Sequence, residues 1–341
     1  MSCSLSFDLL RIIASITVVL RHITDETFKH TPFNSPKWLL YMVLRSITSW
    51  GSPCYAMISG YYLLDNSRGL NFSKLYSKYI KHLFCVYVFW TSVYILQLHF
   101  MMQHSWKDIS NVFDWHKQNC YYQLWYLPMN IRLYVLTPLL RQIVTDITLC
   151  HYFLLLWFFR HILLPNITFF FPYRIILYIR KFIPLVPEYS GYYILGYYLG
   201  QQASHNCRII YICGMCLLGT GYIFSLSILS RRILHIDNSF LLTHFSLGTF
   251  VQVCSIFFGN VIVQKSDKHD TAAKIYRRIS KITFGVYLTH VFIMNILIRY
   301  NYFFYQHQVL QKLLYRAVIV YLLAFLLSTV LYQIPGSSYI L

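Results

Sequence analysis

The chain has 341 residues, of which 57% are hydrophobic and 12% are charged, whereas about a quarter of the residues of a soluble domain are charged. This composition excludes an ordinary soluble globular protein. The net charge of +18 could suggest nucleic acid. The lysines and arginines stand in short loops between apolar runs, however, which favours anionic lipid headgroups or an anionic ligand over a nucleic-acid partner.

Apolar runs of about 20 residues recur along the chain, and each is long enough to cross a hydrocarbon core of about 30 Å. We therefore predict an all-α, polytopic membrane protein with about ten transmembrane helices, in a single domain over residues 1–341. The first run lacks the features of a cleavable signal, so we expect it to remain in the mature protein. The predicted spans are 5–24, 38–64, 79–102, 121–140, 147–165, 186–201, 207–229, 239–263, 280–299 and 313–333.

Two basic loops predict the orientation of the chain in the membrane. Residues 65–81 and 264–281 hold the densest clusters of lysine and arginine. With the predicted spans, both loops fall on the same side as both termini. The positive-inside rule makes that side cytoplasmic.

The first span contains the stretch "DLLRIIASITVVLRH", with Asp8 and Arg11 near one end and Arg21 and His22 at the other. An ionisable group inside a span costs about 2.5–3.5 kcal/mol, so each one needs a reason. Asp8 and Arg11 are three residues apart and therefore neighbours on a helix, where pairing lowers the cost of both. Arg21 is expected to snorkel to the outer interface.

His22 follows Arg11 by eleven residues, so both side chains point the same way on a helix, about 16 Å apart along its axis. We expect this polar stripe to face other protein or a water-filled cavity. A structural ion pair at Asp8 and a histidine that merely anchors the helix end are the alternatives. The opposite face of the helix is apolar: Leu9, Ile13, Ile16 and Leu20.

Three later spans add polar groups. Arg45 precedes "WGSPCYAMISGYY", residues 50–62, whose Ser, Pro and Gly residues predict a helix break. Backbone N–H groups freed by such a break can hold an anion or an oxyanion, although ordinary packing of small residues is the alternative at Gly60. Arg132 stands between two prolines of the fourth span, and His290 about half way along the ninth. Five buried ionisable residues on four spans indicate a site: Arg11, His22, Arg45, Arg132 and His290.

These segments resemble the acyltransferase-3 family of integral membrane O-acyltransferases over nearly the whole chain. The most specific likeness is an arginine, ten residues and a histidine, met by Arg11 and His22, with Asp8 just before them. Four further segments are similar in the same order: "PCYAMISGY", "QLWYL", "LYVLTPLL" and "ITFGVYLTH". The closest subgroup is the surface-polysaccharide O-acetyltransferases, such as those that act on enterobacterial common antigen.

Three features depart from the family pattern. Tyr55 and Ala56 replace two aromatic residues, which is a mild change. Gln123 replaces a frequent histidine, which removes any proton-transfer role at that position. Lys78 and Lys81 replace an arginine pair in the loop after the second span. Lysine keeps the positive charge but lacks the bidentate fork that arginine offers to phosphate.

The resemblance implies transfer of an acyl group, usually acetyl, from cytoplasmic acyl-CoA to a hydroxyl of a cell-surface polysaccharide or its lipid-linked precursor. The protein would lie in the bacterial plasma (inner) membrane, with both termini cytoplasmic. Acyl-CoA and the glycan acceptor are then the substrates, and membrane lipids the surroundings. We expect no permanently bound cofactor, no metal site and no nucleic-acid partner.

His22 is the predicted general base, because a neutral imidazole can take the proton of an attacking hydroxyl. Asp8, Arg11 and His290 are the other catalytic candidates, His290 as a second base. We further hypothesise that the pantetheine arm runs along the first span, with the diphosphate near Arg11 and the thioester near His22. The candidates for binding acyl-CoA are Arg11, Lys74, Lys78, Lys81, Arg45 and Arg132.

Two alternatives remain. The lysines after the second span are also what the positive-inside rule alone would place there. A polytopic transporter or flippase for a glycan or a small solute would share the many spans and the buried Arg and His. The two halves of the sequence contain no duplicated broken helices, however, which are the usual mark of a transporter site.

Overall fold

The computed structural model describes residues 5–29, 31–32, 35–68, 71–101, 103, 123–167, 179, 183–184, 186–202, 209–232, 239–264, 272–300, 310–337 and 340–341. Over these residues the protein is helical and contains no β-strand. The prediction of an all-α fold is therefore confirmed. Of the two predicted basic loops, Lys265 and Lys268 lie outside the described residues.

The described helices follow the predicted spans. Two of them contain π-helical turns, α4 at Leu75–Ile80 and Gln97–Met101 and α6 at Phe158–Leu163. In chain order the helices are α1 (Leu5–Lys29), α2 (Pro36–Ile47), α3 (Gly51–Leu63), α4 (Phe72–Met101), α5 (Tyr126–Thr145), α6 (Ile147–Ile167), α7 (Ser190–Gln202), α8 (Ile209–Arg232), α9 (Leu247–Gln264), α10 (Ala272–Arg299) and α11 (Leu310–Leu331).

Of the helices that the structure describes, five are long and apolar enough to cross a membrane: α4, α6, α8, α10 and α11. Their outer faces carry large exposed apolar side chains such as Leu155, Leu217 and Leu326. In water these surfaces would be unfavourable, whereas lipid chains cover them at no cost. The protein is a polytopic membrane protein, and the exact number of spans stays a prediction.

The chain separates into two compact units, each built from two segments. Unit 1 consists of Met1–Gly69 and Thr137–Lys274, and unit 2 of Leu70–Leu136 and Ile275–Leu341. In unit 1, α8 packs along α9 and α3 along α7, while α1 contacts α2, α3 and α9. The prediction of a single domain over the whole chain stays a prediction.

The predicted break in the second span exists, but it lies earlier than expected. Helix α2 ends at Ile47 and α3 begins at Gly51, so the break is the turn Thr48–Trp50. From Gly51 to Leu63 the helix is continuous, because Pro53 lies in its first turn, where a missing N–H costs nothing. The break lies against α1, since a Cβ on Gly51 would be 3.0 Å from a Val18 methyl group.

Two glycines allow α3 and α7 to cross at backbone contact. A Cβ on Gly60 would lie 1.7 Å from the carbonyl oxygen of Tyr193, and a Cβ on Gly196 would lie 2.0 Å from that of Met57. A carbonyl oxygen cannot move aside without moving its helix. Gly60 is therefore a packing residue of the small-residue type found between membrane helices, as its alternative interpretation proposed.

In unit 2, buried polar side chains connect α4 to α10. The Tyr94 hydroxyl donates to the Leu288 carbonyl at 2.7 Å, and the Gln97 amide donates to the Phe292 carbonyl at 3.0 Å. Asn295 in turn donates its side-chain N–H to the side-chain oxygen Oε1 of Gln97 at 3.1 Å. These bonds fix the register of α10, the helix that carries His290.

We expect Gly60→Ala to destabilise the protein by about 1–3 kcal/mol, because the added methyl group forces α3 away from α7. Gly221→Ala is the matched control, since a Cβ at Gly221 of α8 would meet nothing within 4 Å. Denaturant titration of the detergent-solubilised variants measures both. Equal midpoints for the two variants would contradict this account of the crossing.

Candidate functional site

Helix α1 carries the polar stripe predicted from the sequence. It runs unbroken from Leu5 to Lys29, so Arg11 and His22 lie about 16 Å apart along one axis. The helix continues seven residues beyond His22, which excludes a histidine that merely anchors the helix end. On the opposite face, Ile13 and Ile16 are exposed, as predicted for an apolar side.

At one end of the stripe, Asp8 and Arg11 form the predicted ion pair. Arg11 Nη1 lies 3.2 Å from Asp8 Oδ1, and the Asp8 side chain is only 3% exposed. The Arg11 guanidinium also lies 5.3 Å from the centroid of the Tyr62 ring. A carboxylate that is this deeply buried needs a compensating cation. Arg11 therefore stabilises the fold by neutralising Asp8, in addition to any ligand that it binds.

At the other end, Asp25 bridges two arginines. Asp25 Oδ2 lies 2.8 Å from Arg21 Nε, and Asp25 Oδ1 lies 2.6 Å from Arg45 Nε. Both arginine side chains are about 15% exposed (15% and 16%), and that of Asp25 is 30% exposed. Two guanidinium groups and one carboxylate leave one net positive charge, which the enclosed position keeps from being fully screened.

Arg21 makes three more hydrogen bonds, so the expectation that it snorkels to the interface is wrong. Its Nη1 donates to the Arg45 carbonyl at 2.8 Å and to Ser49 Oγ at 3.1 Å, and its Nη2 donates to the Leu242 carbonyl at 2.9 Å. Arg21 thereby ties α1 to the break between α2 and α3 and to the short helix Ser239–Leu242. Acceptors inside the protein replace the water that snorkelling would reach.

His22 is next to Arg21 and three residues before Asp25 on the same helix. It interacts electrostatically with Asp25 and Arg21, and also with His244. Its ring is partly buried. The predicted base therefore interacts with a carboxylate, with the adjacent Arg21 and with a second imidazole, and the carboxylate also binds Arg45.

His244 is one of two site residues that the sequence did not reveal, the other being Asp25. Its Nδ1 lies 2.7 Å from the Tyr189 hydroxyl, and its backbone carbonyl accepts a hydrogen bond of 2.6 Å from the Tyr192 hydroxyl. A single histidine in "LLTHFS" has no periodic pattern that could reveal it. Asp25 was missed too, although its position four residues after Arg21 is a recognisable helical ion-pair spacing.

Arg45 is brought to Asp25, at the His22 end of α1. It lies in the last turn of α2, and its guanidinium carbon lies 4.3 Å from the centroid of the Phe28 ring. Its pairing with Asp25 uses the Nε–H, and the ring contact covers one face of the group. The observed contacts of Arg45 are therefore with Asp25 and Phe28. Its predicted role in binding acyl-CoA stays a prediction.

His290 is completely buried in unit 2. Its Nδ1 lies 2.8 Å from the Tyr287 carbonyl oxygen and 3.1 Å from that of Val286. A carbonyl oxygen only accepts, so Nδ1 carries the proton of the neutral ring and Nε2 is its basic nitrogen. The Tyr287 hydroxyl donates to the Gln123 carbonyl, at the position where the family often has a histidine.

The other predicted ligands of acyl-CoA lie in unit 2. Arg132 is exposed on the surface of α5, whereas its neighbour Leu133 is buried, and its predicted place near the middle of the membrane stays a prediction. Lys74, Lys78 and Lys81 are exposed near the start of α4. Their exposure suits both an anion-binding surface and the positive-inside signal, so their role stays a prediction.

The cluster around His22 can carry out proton transfer next to developing negative charge. A neutral imidazole accepts the proton of a hydroxyl, and fixed positive charge in an enclosed site stabilises an oxyanion. We define the His22 cluster as Arg21, His22, Asp25, Arg45 and His244, all in unit 1. No group of His, Cys, Asp and Glu suited to a metal ion occurs among the described residues.

Comparison with known proteins gives one match. The family model described as an acyltransferase domain, of the acyltransferase-3 type, matches residues 4–333. Neither the curated proteins nor the solved structures contain a significant match. The resemblance seen in the sequence is confirmed at the level of the family, and this match favours an enzyme over the transporter or flippase.

Asp25→Asn should lower the free energy of unfolding by about 1–3 kcal/mol, because it leaves two guanidinium groups without their shared carboxylate. The lower half of that range is expected, since the carboxylate is partly exposed. A double-mutant cycle with Arg45→Gln isolates the pair, and we expect non-additive losses in denaturant titration. Strict additivity would mean that the two side chains do not stabilise each other.

Proposed function

Since the chain belongs to the acyltransferase-3 family of membrane acyltransferases, we propose that it transfers an acetyl group from acetyl-CoA to a hydroxyl of a cell-surface polysaccharide or its lipid-linked precursor. The observation that carries this proposal is the His22 cluster, in which a histidine lies beside an aspartate held by two arginines. The proposed location is the bacterial plasma membrane, with both termini cytoplasmic.

In the proposed reaction, His22 takes the proton of the acceptor hydroxyl while its oxygen attacks the thioester carbon. A C–O bond forms, the carbonyl becomes an oxyanion, and the C–S bond then breaks. The CoA thiolate leaves and takes back the proton from His22, so the enzyme returns to its starting state. Such general-base catalysis contributes about 10²–10⁴-fold to the rate.

Asp25 has two roles in this scheme. It lies three residues after His22 and stabilises the imidazolium that forms when the hydroxyl gives up its proton. It also holds Arg21 and Arg45 in place, so that their net positive charge is fixed before the reaction begins. A charge fixed in advance needs no reorganisation when the oxyanion appears.

The donor is proposed to lie along α1. The distance of about 16 Å from Arg11 to His22 is comparable to an extended pantetheine arm. This match supports a donor with its diphosphate near Arg11 and its thioester near His22. The thioester would then reach an acceptor at the outer leaflet while the nucleotide stays at the cytoplasmic side. Lys74, Lys78, Lys81 and Arg132 are the proposed additional phosphate ligands, and His290 is the second candidate base.

His22→Ala should accumulate normally and transfer no acetyl group, because it removes the base and leaves the arginine–aspartate bridge intact. The test uses cells that lack the gene and express each variant, with the acetyl content of surface glycans read by mass spectrometry. His151→Ala is the matched control, since His151 is an exposed histidine on α6 in the same unit. Full acetylation by His22→Ala would remove the basis of the mechanism.

Arg11→Ala should raise the KM for acetyl-CoA about 10-fold or more, the loss expected for one charge-assisted contact to phosphate. Because Arg11 also compensates Asp8, the variant is paired with Asp8→Asn, which removes the unpaired carboxylate. The KM is measured in membrane vesicles with labelled acetyl-CoA. A double variant with normal KM and reduced kcat would show that Arg11 does not hold the donor.

A further inference from the structure

Several hydrogen bonds hold the segment around His244 in place. His244 follows the short helix Ser239–Leu242, whose Leu242 carbonyl accepts a hydrogen bond of 2.9 Å from Arg21. Its own carbonyl accepts one of 2.6 Å from Tyr192. The Thr243 carbonyl just before it and the Ser246 hydroxyl just after it both bond to the Thr249 hydroxyl. These backbone and hydroxyl contacts fix the segment without any use of the imidazole.

The imidazole itself has a separate partner. Nδ1 lies 2.7 Å from the Tyr189 hydroxyl, and the two rings meet edge to face with their centroids 6.2 Å apart. The ring interacts electrostatically with Arg21 and Asp25, and with His22. Tyr189 therefore orients a second imidazole toward the same charges that surround the proposed base.

We infer that His244 is a second catalytic residue of the transfer, whose neutral ring donates a hydrogen bond to the oxyanion formed on the thioester carbonyl. The inference rests on the proposed function. In this assignment the Tyr189 hydroxyl donates to Nδ1 across their 2.7 Å contact, so that the proton of the neutral ring lies on Nε2 and that nitrogen is a donor. The donor needs no net proton transfer, so the reaction remains balanced with His22 alone exchanging a proton.

The charges of the cluster decide which histidine takes the proton. His22 is three residues before Asp25 on the same helix, whereas the Nδ1 of His244 faces a neutral tyrosine. Once His22 is protonated, a second positive charge on His244 would be opposed by both His22 and Arg21. His244 therefore stays neutral while the oxyanion develops, which is the state in which its ring N–H is a donor.

The test compares side chains that can donate a hydrogen bond with side chains that cannot. We expect His244→Leu to lower kcat about 10²–10³-fold, as for the loss of an oxyanion donor, with the KM for acetyl-CoA nearly unchanged. His244→Gln keeps an amide N–H and should be at least about 10-fold more active than His244→Leu. His22→Gln should be as inactive as His22→Ala, because an amide cannot accept the proton.

The measurement is acetyl transfer from labelled acetyl-CoA to endogenous glycan in membrane vesicles that contain the full chain, as a function of pH. The acidic limb of kcat/KM should be the same for His244→Gln and wild type, because His22 titrates in both. Tyr189→Phe should lower kcat without changing KM. The matched control is His151→Leu, which removes another histidine–tyrosine contact of unit 1, to Tyr198 at 3.0 Å.

Three results would overturn the inference: wild-type kcat in His244→Leu, equal inactivity of His244→Gln and His244→Leu, or loss of the acidic limb in His244→Gln. The denaturant midpoints of the solubilised variants show whether a loss of activity results from unfolding. Tyr189→Phe is a smaller change that tests the same hydrogen bond through its effect on kcat. If wild-type vesicles transfer no acetyl group, the proposed function fails as well. If they transfer it and His244→Leu equals wild type, only the role of His244 fails.

Discussion

The C-terminal half of α1 depends on the ion pairs that the Asp25 carboxylate makes. The carboxylate accepts from Arg21 and Arg45 at 2.8 and 2.6 Å, and so allows two guanidinium groups to lie close together away from bulk water. The remaining N–H groups of Arg21 then hold three separate acceptors on α2, the following turn and the Ser239–Leu242 helix. One partly exposed carboxylate thus organises the polypeptide around His22.

The close packing of α3 against α7 positions the tyrosines that contact His244. The crossing of α3 and α7 at Gly60 and Gly196 leaves no freedom for α7 to slide. At that crossing Tyr193 contacts α3 through its carbonyl, and the adjacent Tyr192 reaches the carbonyl of His244. The same helix rotation places Tyr189 against the ring of His244. Fold stability and site geometry therefore share one set of contacts.

Whether an interaction could be predicted from the sequence depends on how far apart its two residues are along the chain. Helical periodicity within α1 correctly paired Asp8 with Arg11 and placed His22 on the same face, because those relations depend only on helix geometry. The bonds from Arg45 to Asp25 and from Arg21 to Leu242 join residues 20 and 221 positions apart, and no local pattern encodes them. The exposure of Arg132 likewise depends on how α5 packs.

The separation of charges along α1 has a consequence for acyl transfer. The hydroxyl and the thioester are neutral before they react, so a net positive cluster gains little from binding them and more from the oxyanion that follows. The phosphates of a CoA donor would compete for that cluster if they could reach it. About three helical turns between Arg11 and His22 keep the two apart. In the proposed mechanism, the favourable electrostatic energy near His22 therefore acts mainly on the transition state.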